Sequence, residues 1–296
     1  QGSDVISGFE NIVAGSGNDT VTGNEEWNSI EGGAGNDSIS AGAGQDTLQG
    51  GTGDDVLDGG ADADILVGGT GDDTLLGGTG IDLADYGDVT GNLSVNLSSG
   101  TSVDSDPNGV GSDTLEDIEN VTTGSGNDSV TGSSANNILI AGAGNDTLSG
   151  GGGDDTLTAG DGNDTVDYSA NTSSQGVTVN LATGSASDGL GGTDTLSGFE
   201  SVSGGAGTDE ITGDANANLL VGNEGQDTID GGAGNDVLSG DEGSDSLLGG
   251  AGDDILLGGV GDDWLRGGSG NDNLVGGDGT SDTADFSDAT AAVTVS

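Results

Sequence analysis

The sequence predicts an all-β fold, a parallel β-roll in three arrays joined by small β cap or linker segments. Three observations predict it: a nine-residue unit recurs in strict register, each unit carries one aliphatic residue at a fixed place, and glycine supplies 66 of the 296 residues. With only 29% hydrophobic residues, the chain is too poor in apolar side chains for ordinary globular cores. A short fixed period replaces such cores with a thin one, built by stacking identical coils.

The unit reads G-G-x-G-x-D-x-U-x, where U is apolar. From Gly32 it runs GGAGNDSIS, AGAGQDTLQ, GGTGDDVLD, GGADADILV, GGTGDDTLL without a slip. Glycine at positions one, two and four permits φ > 0 and close backbone approach, so the first six residues predict a tight turn with inward carbonyls. The last three, x-U-x, predict a short strand with one side chain facing in. Two units then make one coil, and residues 18 apart lie on the same edge.

Taken in order, residues 1–13 read as the end of a preceding cap segment, and residues 14–85 hold eight units forming the first roll. Residues 86–122 are a cap or linker, 123–167 a five-unit roll, 168–203 a second linker, 204–285 a third roll opening with eight units, and 286–296 the start of another cap. The linkers repeat each other. Asp85-Tyr86 leads to LSVNL at 93–97, Asp167-Tyr168 to VTVNL at 177–181, and Asp285-Phe286 to VTV at 293–295. This alternation reads as a strand in a small cap that closes the roll with an aromatic plug. SDVISGFENI, SDTLEDIENV and TDTLSGFESV then lead back into each array, so the chain reads as a stretch of a longer tandem repeat.

Charge narrows function. Fifty-three acids face one basic residue, Arg266, for a net charge of -52, which excludes nucleic acid and anionic membrane surfaces as partners. The absence of Cys and His removes disulfides, thiol nucleophiles, imidazole bases and the usual zinc ligands, and predicts no enzyme in this segment. No apolar run is long enough to span a bilayer, so no membrane insertion is expected. The run VDSDPNG at 103–109 lacks the glycine and distal glutamate spacing of an EF-hand loop and reads as solvated. Trp27 and Trp264 read as packing or cap residues.

The sixth position carries the chemistry. It is Asp19, Asp37, Asp46, Asp55, Asp64, Asp73 and Asp82 in the first array, Asp128, Asp146, Asp155 and Asp164 in the second, and Asp209, Asp227, Asp236, Asp245, Asp254, Asp263 and Asp272 in the third. Rows of stacked carboxylates repel, and one aliphatic residue per nine cannot offset the entropy of ordering a glycine-rich chain. A cation is the missing term. Hard oxygen donors from carboxylates and carbonyls in a flexible loop suit Ca²⁺ better than Mg²⁺, Zn²⁺ or copper. Pairing turns 18 residues apart predicts about 12 to 15 ions. In the second unit of each array Asn28, Asn137 and Asn218 replace the Asp, and a neutral amide needs no cation there.

This spacing resembles the RTX family, the hemolysin-type calcium-binding repeats, over 189 of the 296 residues. The resemblance implies the parallel β-roll and secretion to the extracellular space or cell surface by a type I apparatus. It implies as calcium ligands the sixth-position carboxylates together with glycine carbonyls, here those of Gly33, Gly35, Gly42, Gly44, Gly51, Gly53, Gly69 and Gly71. In the later arrays these are Gly142, Gly144, Gly151, Gly153, Gly232, Gly234, Gly250, Gly252, Gly259 and Gly261. Tandem super-repeats favour a structural region of an extracellular protein of adhesin, surface-layer or matrix type, folding on calcium after export. The alternative is the secretion and folding region of a secreted hydrolase or other enzyme acting on polysaccharide or protein. Beyond calcium, other copies of the chain or a cell-surface layer are the candidate partners.

Overall fold

In the computed structural model, residues 8–104 and 109–289 are described. The chain falls into two compact units, Gln1–Asp146 and Thr147–Ser296, so the division lies inside the five-unit array. The described residues contain strands and turns, and no helix long and apolar enough to cross a membrane.

Each unit is a parallel β-roll of two sheets whose coils are 18 residues long. Strand Ser29–Ala34 pairs in parallel with Thr47–Thr52, which pairs with Ile65–Thr70; on the other sheet Ser38–Ala43 pairs with Val56–Ala61 and then Thr74–Thr79. The second unit repeats this with Thr228–Ala233, Ser246–Ala251 and Trp264–Ser269, facing Val237–Gly243, Ile255–Val260 and Asn273–Asp278. Inside run the position-eight residues, among them Ile30, Leu48 and Leu66 from one sheet and Ile39, Leu57 and Leu75 from the other, all at 0–1% exposure. That column is the core.

The strands are longer than the three residues the spacing predicts. Thirteen of the described strands in the repeats run six residues, x-U-x-G-G-x, continuing through the first three positions of the next unit, as in Thr47–Thr52 with sequence TLQGGT. Glycine makes this extension possible. Gly51 sits at φ 117, and a β-carbon there would overlap the Gly33 carbonyl of the coil below, so the ladder Gly33↔Gly51↔Gly69 requires bare α-carbons. At three places where the motif departs from glycine, Asp62, Asn223 and Asp241, the residue still adopts positive φ.

The linkers do not lie across an open end of a roll; they are spliced into a sheet. In the first unit, Thr114–Glu116 pairs in parallel with Thr74–Thr79, then antiparallel with Thr101–Asp104, which pairs with Leu93–Asn96, and this last rejoins the next array at Ser129–Thr131. The opposite sheet needs no insertion, because Leu83–Asp85 pairs directly with Asn120–Thr122. In the second unit Thr193–Ser197, Ser185–Ser187 and Thr178–Asn180 form the same meander between Thr156–Asp161 and Glu210–Thr212. The expected aromatic plug is a buried tyrosine in each linker, Tyr86 and Tyr168. The strand expected at 293–295 lies outside the described residues.

Candidate metal centre

The sixth-position carboxylates point into the roll. Of the 18, Asp19 and Asp272 are half-buried, and the other sixteen are buried beside the aliphatic column. Alternation along the strand explains the placement: positions six, eight and one face inward, so each Asp lines the wall below a U residue.

One oxygen of each carboxylate joins adjacent coils. The Asp37 N–H donates to Asp55 Oδ1 at 2.7 Å, the Asp55 N–H to Asp73 Oδ1 at 2.8 Å, and the Asp46 N–H to Asp64 Oδ1 at 2.8 Å. The third array continues the pattern from Asp227 to Asp245 and from Asp236 to Asp254, and the Asp128 N–H donates to Asp146 Oδ1 at 2.8 Å. The turn pairing predicted from the 18-residue coil is thus a chain of hydrogen bonds from main chain to carboxylate.

In twelve of the eighteen the other oxygen has no protein partner. Oδ2 of Asp37, Asp46, Asp55, Asp64, Asp73, Asp82, Asp128, Asp227, Asp236, Asp245, Asp254 and Asp263 is buried without a hydrogen bond. A buried ionised oxygen left this way is expensive. Burial first, then repulsion from neighbouring acids, pushes Asp73 and Asp227 up to about 7 and Asp64, Asp236 and Asp245 up to about 6, while the hydrogen bond to Oδ1 opposes the shift.

A main-chain carbonyl converges on that oxygen. A β-carbon placed on Gly32 would lie 2.5 Å from Asp37 Oδ2 and 2.8 Å from the Gly50 carbonyl oxygen; on Gly249 it would lie 2.5 Å from Asp254 Oδ2 and 2.6 Å from Gly267 O. The converging carbonyl therefore belongs to position one of the next coil, which the glycines inferred from the sequence did not include. The position-two carbonyls, such as those of Gly33, Gly51 and Gly250, point up the stack toward the next coil's glycine, as do the position-four carbonyls of Gly35, Gly53, Gly234 and Gly252. No three acidic side chains gather into one cluster among the described residues, so a cation here draws on main-chain oxygens as well as carboxylates.

At Asn137, Asn218 and Asp209 both side-chain polar atoms find partners. Asn137 accepts the Ser133 N–H at 2.7 Å and donates from Nδ2 to the Glu119 carbonyl at 2.6 Å; Asn218 does the same with Asp214 and Glu200. Asp209 accepts the N–H groups of Val177 and Gly205, one on each oxygen. In the linkers Asp113 and Asp194 take the place of the next sixth-position Asp, accepting the N–H groups of Asp73 and Asp155, while their Oδ2 atoms accept the hydroxyls of Tyr86 and Tyr168 at 2.8 and 2.9 Å.

Position five escaped the motif reading. Its side chains form a second ladder running the opposite way: Asn18 Oδ1 accepts the Asn36 N–H, Asp54 Oδ1 the Asp72 N–H and Asn235 Oδ1 the Asp253 N–H. The frequent Asn or Asp before the sixth position was the available signal. Trp27 is exposed, whereas Trp264 stacks under the Arg266 guanidinium 4.8 Å from its ring centroid, and Arg266 pairs with Asp285.

The sequence matches the RTX calcium-binding nonapeptide repeat (4 copies) at residues 4–39, 22–57, 40–75, 49–84, 113–148, 131–166, 195–229, 212–247 and 248–281, well over half of the chain. The chain belongs to the RTX calcium-binding repeat family. No curated protein matches it. The RTX repeats bind Ca²⁺, and the partnerless carboxylate oxygens beside converging carbonyls are the donor set that a hard divalent cation requires. Bound there, the ion would neutralise the carboxylates and accept both oxygen types as ligands. The chain's own residues do the rest: Oδ1 locks coil to coil, and glycine clears the approach.

Proposed function

We propose that this RTX segment is a calcium-rigidified spacer in an extracellular bacterial protein of adhesin, surface-layer or matrix type, folding on calcium after export by a type I apparatus, and that it performs no catalysis itself. The observation that carries the reading is the splicing of both linkers into the sheets, which lets one array run into the next and supports a stack of any number of super-repeats. Exported modules of this class bind calcium at about 10⁻⁴ to 10⁻³ M, so cytosolic calcium leaves the carboxylates repelling one another and the chain threadable. About 12 to 15 ions at the inter-turn positions would then lock the stack outside the cell.

The flanking sequence of the full-length protein tests this. Further copies of the 86–122 type linker on both sides are expected. A hydrolase domain joined directly to a single flanking array, with no further super-repeat, would replace the spacer with a folding region of an enzyme.

A further inference from the structure

Asp188 lies outside the nonapeptide motif, in the second linker, and is fully buried. Its Oδ1 accepts three consecutive main-chain N–H groups, from Leu190, Gly191 and Gly192, at 2.8, 2.9 and 2.8 Å. Its own carbonyl accepts Asn171 Nδ2 at 2.6 Å. The carboxylate is therefore held rigidly in one orientation. Its Oδ2 is buried and has no hydrogen-bond partner.

The surroundings reproduce a repeat turn without the repeat sequence. Asp155 donates its N–H to Asp194 Oδ1, Thr193 donates to Asp154 Oδ1, and Thr195 donates to the Asp155 carbonyl, so residues 192–194 stack on the turn Gly153–Asp155 as one coil on the next. Gly192 occupies the position-four place: a β-carbon there would overlap the Gly153 carbonyl oxygen and lie 2.8 Å from Asp188 Oδ2. In this pseudo-turn the sixth-position residue, Asp194, has given its second oxygen to the Tyr168 hydroxyl. Asp188 brings a carboxylate oxygen to the same turn from another direction.

We propose that Asp188 Oδ2 and the Gly153 carbonyl form part of an additional divalent-cation site, of calcium type, within the linker. A carboxylate is costly to bury without a counter-charge, and the described part of the chain has its one basic side chain at Arg266, paired with Asp285. An oxygen donor paired with a main-chain carbonyl selects a hard cation. The first linker is built differently at this point. Asp104 follows its β-turn as Asp188 does, but it is half-buried and its Oδ2 accepts the Val110 N–H at 3.2 Å. The site therefore belongs to the second linker. The choice of calcium as the ion rests on the RTX reading of the repeats; the existence of the site rests on Asp188 alone.

Ion counting by native mass spectrometry at saturating calcium, on the whole chain and on Asp188→Asn, tests the proposal. An Asn keeps the Oδ1 acceptor for the three N–H groups and presents an amide to the Gly153 carbonyl. The variant is expected to fold and to bind one ion fewer; an equal count in both proteins overturns the site. Should the variant not fold, the anomalous difference map of wild-type crystals grown in calcium decides. A peak within about 2.3 to 2.6 Å of Asp188 Oδ2 supports the site, and its absence while the repeat turns carry peaks overturns it. A wild-type chain that binds no calcium at all would instead overturn the calcium reading of the repeats.

Discussion

Asp55→Asn tests the division of labour between the two carboxylate oxygens. Asp55 belongs to two turn pairs: its Oδ1 accepts the Asp37 N–H and its own N–H donates to Asp73 Oδ1. The substitution keeps both hydrogen bonds and replaces the partnerless Oδ2 with an amide that can donate, as Asn137 and Asn218 already do toward Glu119 and Glu200. Without metal, removing a buried unpaired carboxylate oxygen stabilises the roll by about 1 to 3 kcal/mol. With metal, two inter-turn sites are lost. Each contributes about 2.7 kcal/mol when free calcium stands a hundred-fold above its Kd, or about 5 kcal/mol together. The variant is therefore less stable than wild type by about 2 to 4 kcal/mol in calcium and no less stable in chelator. Urea unfolding followed by circular dichroism in calcium, together with the residual β signal of the two proteins in chelator, measures this. Equal stability of the two proteins in calcium would refute the assignment of the sites to these carboxylates.

Three further outcomes follow from the same geometry. Leu66→Ala, at 0% exposure in the aliphatic column, should cost about 2 to 5 kcal/mol in calcium-loaded urea unfolding; a loss below 1 kcal/mol would mean that the column is not the core. Tyr168→Phe strips the donor from buried Asp194 Oδ2, an expected loss of about 1 to 3 kcal/mol, and an unchanged melting temperature in calcium would contradict the pairing. In chelator, acid should promote folding. The folded pKa values of Asp73 and Asp227 are raised to about 7 and those of Asp64, Asp236 and Asp245 to about 6, from 3.8. The protonated folded state is thereby favoured below pH 3.8, and that stabilisation is lost as pH rises through 6 to 7. β signal in chelator that grows on lowering pH from 8 toward 4 is expected; signal that falls instead would contradict the burial of these groups.

The coil was legible because each structural requirement falls on one fixed slot. Leu48, Leu66 and their equivalents recur every nine residues, and Asp37, Asp55 and Asp73 every 18, so the period alone assigns the first to an inward face and the second to one edge of the coil. Strand length was not legible, because glycine reads as turn, whereas Gly50 and Gly51 here continue the ladder, Gly51 at a positive φ that L side chains rarely adopt. The pairs Tyr86–Asp113 and Tyr168–Asp194 join residues 27 and 26 apart that recur from one linker to the next but lie outside the nine-residue period, so the sequence offered no register to pair them. Asp188 was hidden for a related reason: outside the nine-residue period, nothing in sequence distinguishes a buried carboxylate from a solvated one.

Circular dichroism during a calcium titration, with chelation afterward and magnesium in parallel, tests the central claim most directly. The partnerless oxygens of Asp37 through Asp82 and Asp227 through Asp263 require that the chain be largely unfolded in chelator at neutral pH. A cooperative β signal should appear near millimolar Ca²⁺ (about 10⁻⁴ to 10⁻³ M), vanish on chelation and be absent with Mg²⁺ at the same concentration. A chain equally folded without calcium would contradict the account, and an equal response to Mg²⁺ would contradict its choice of ion.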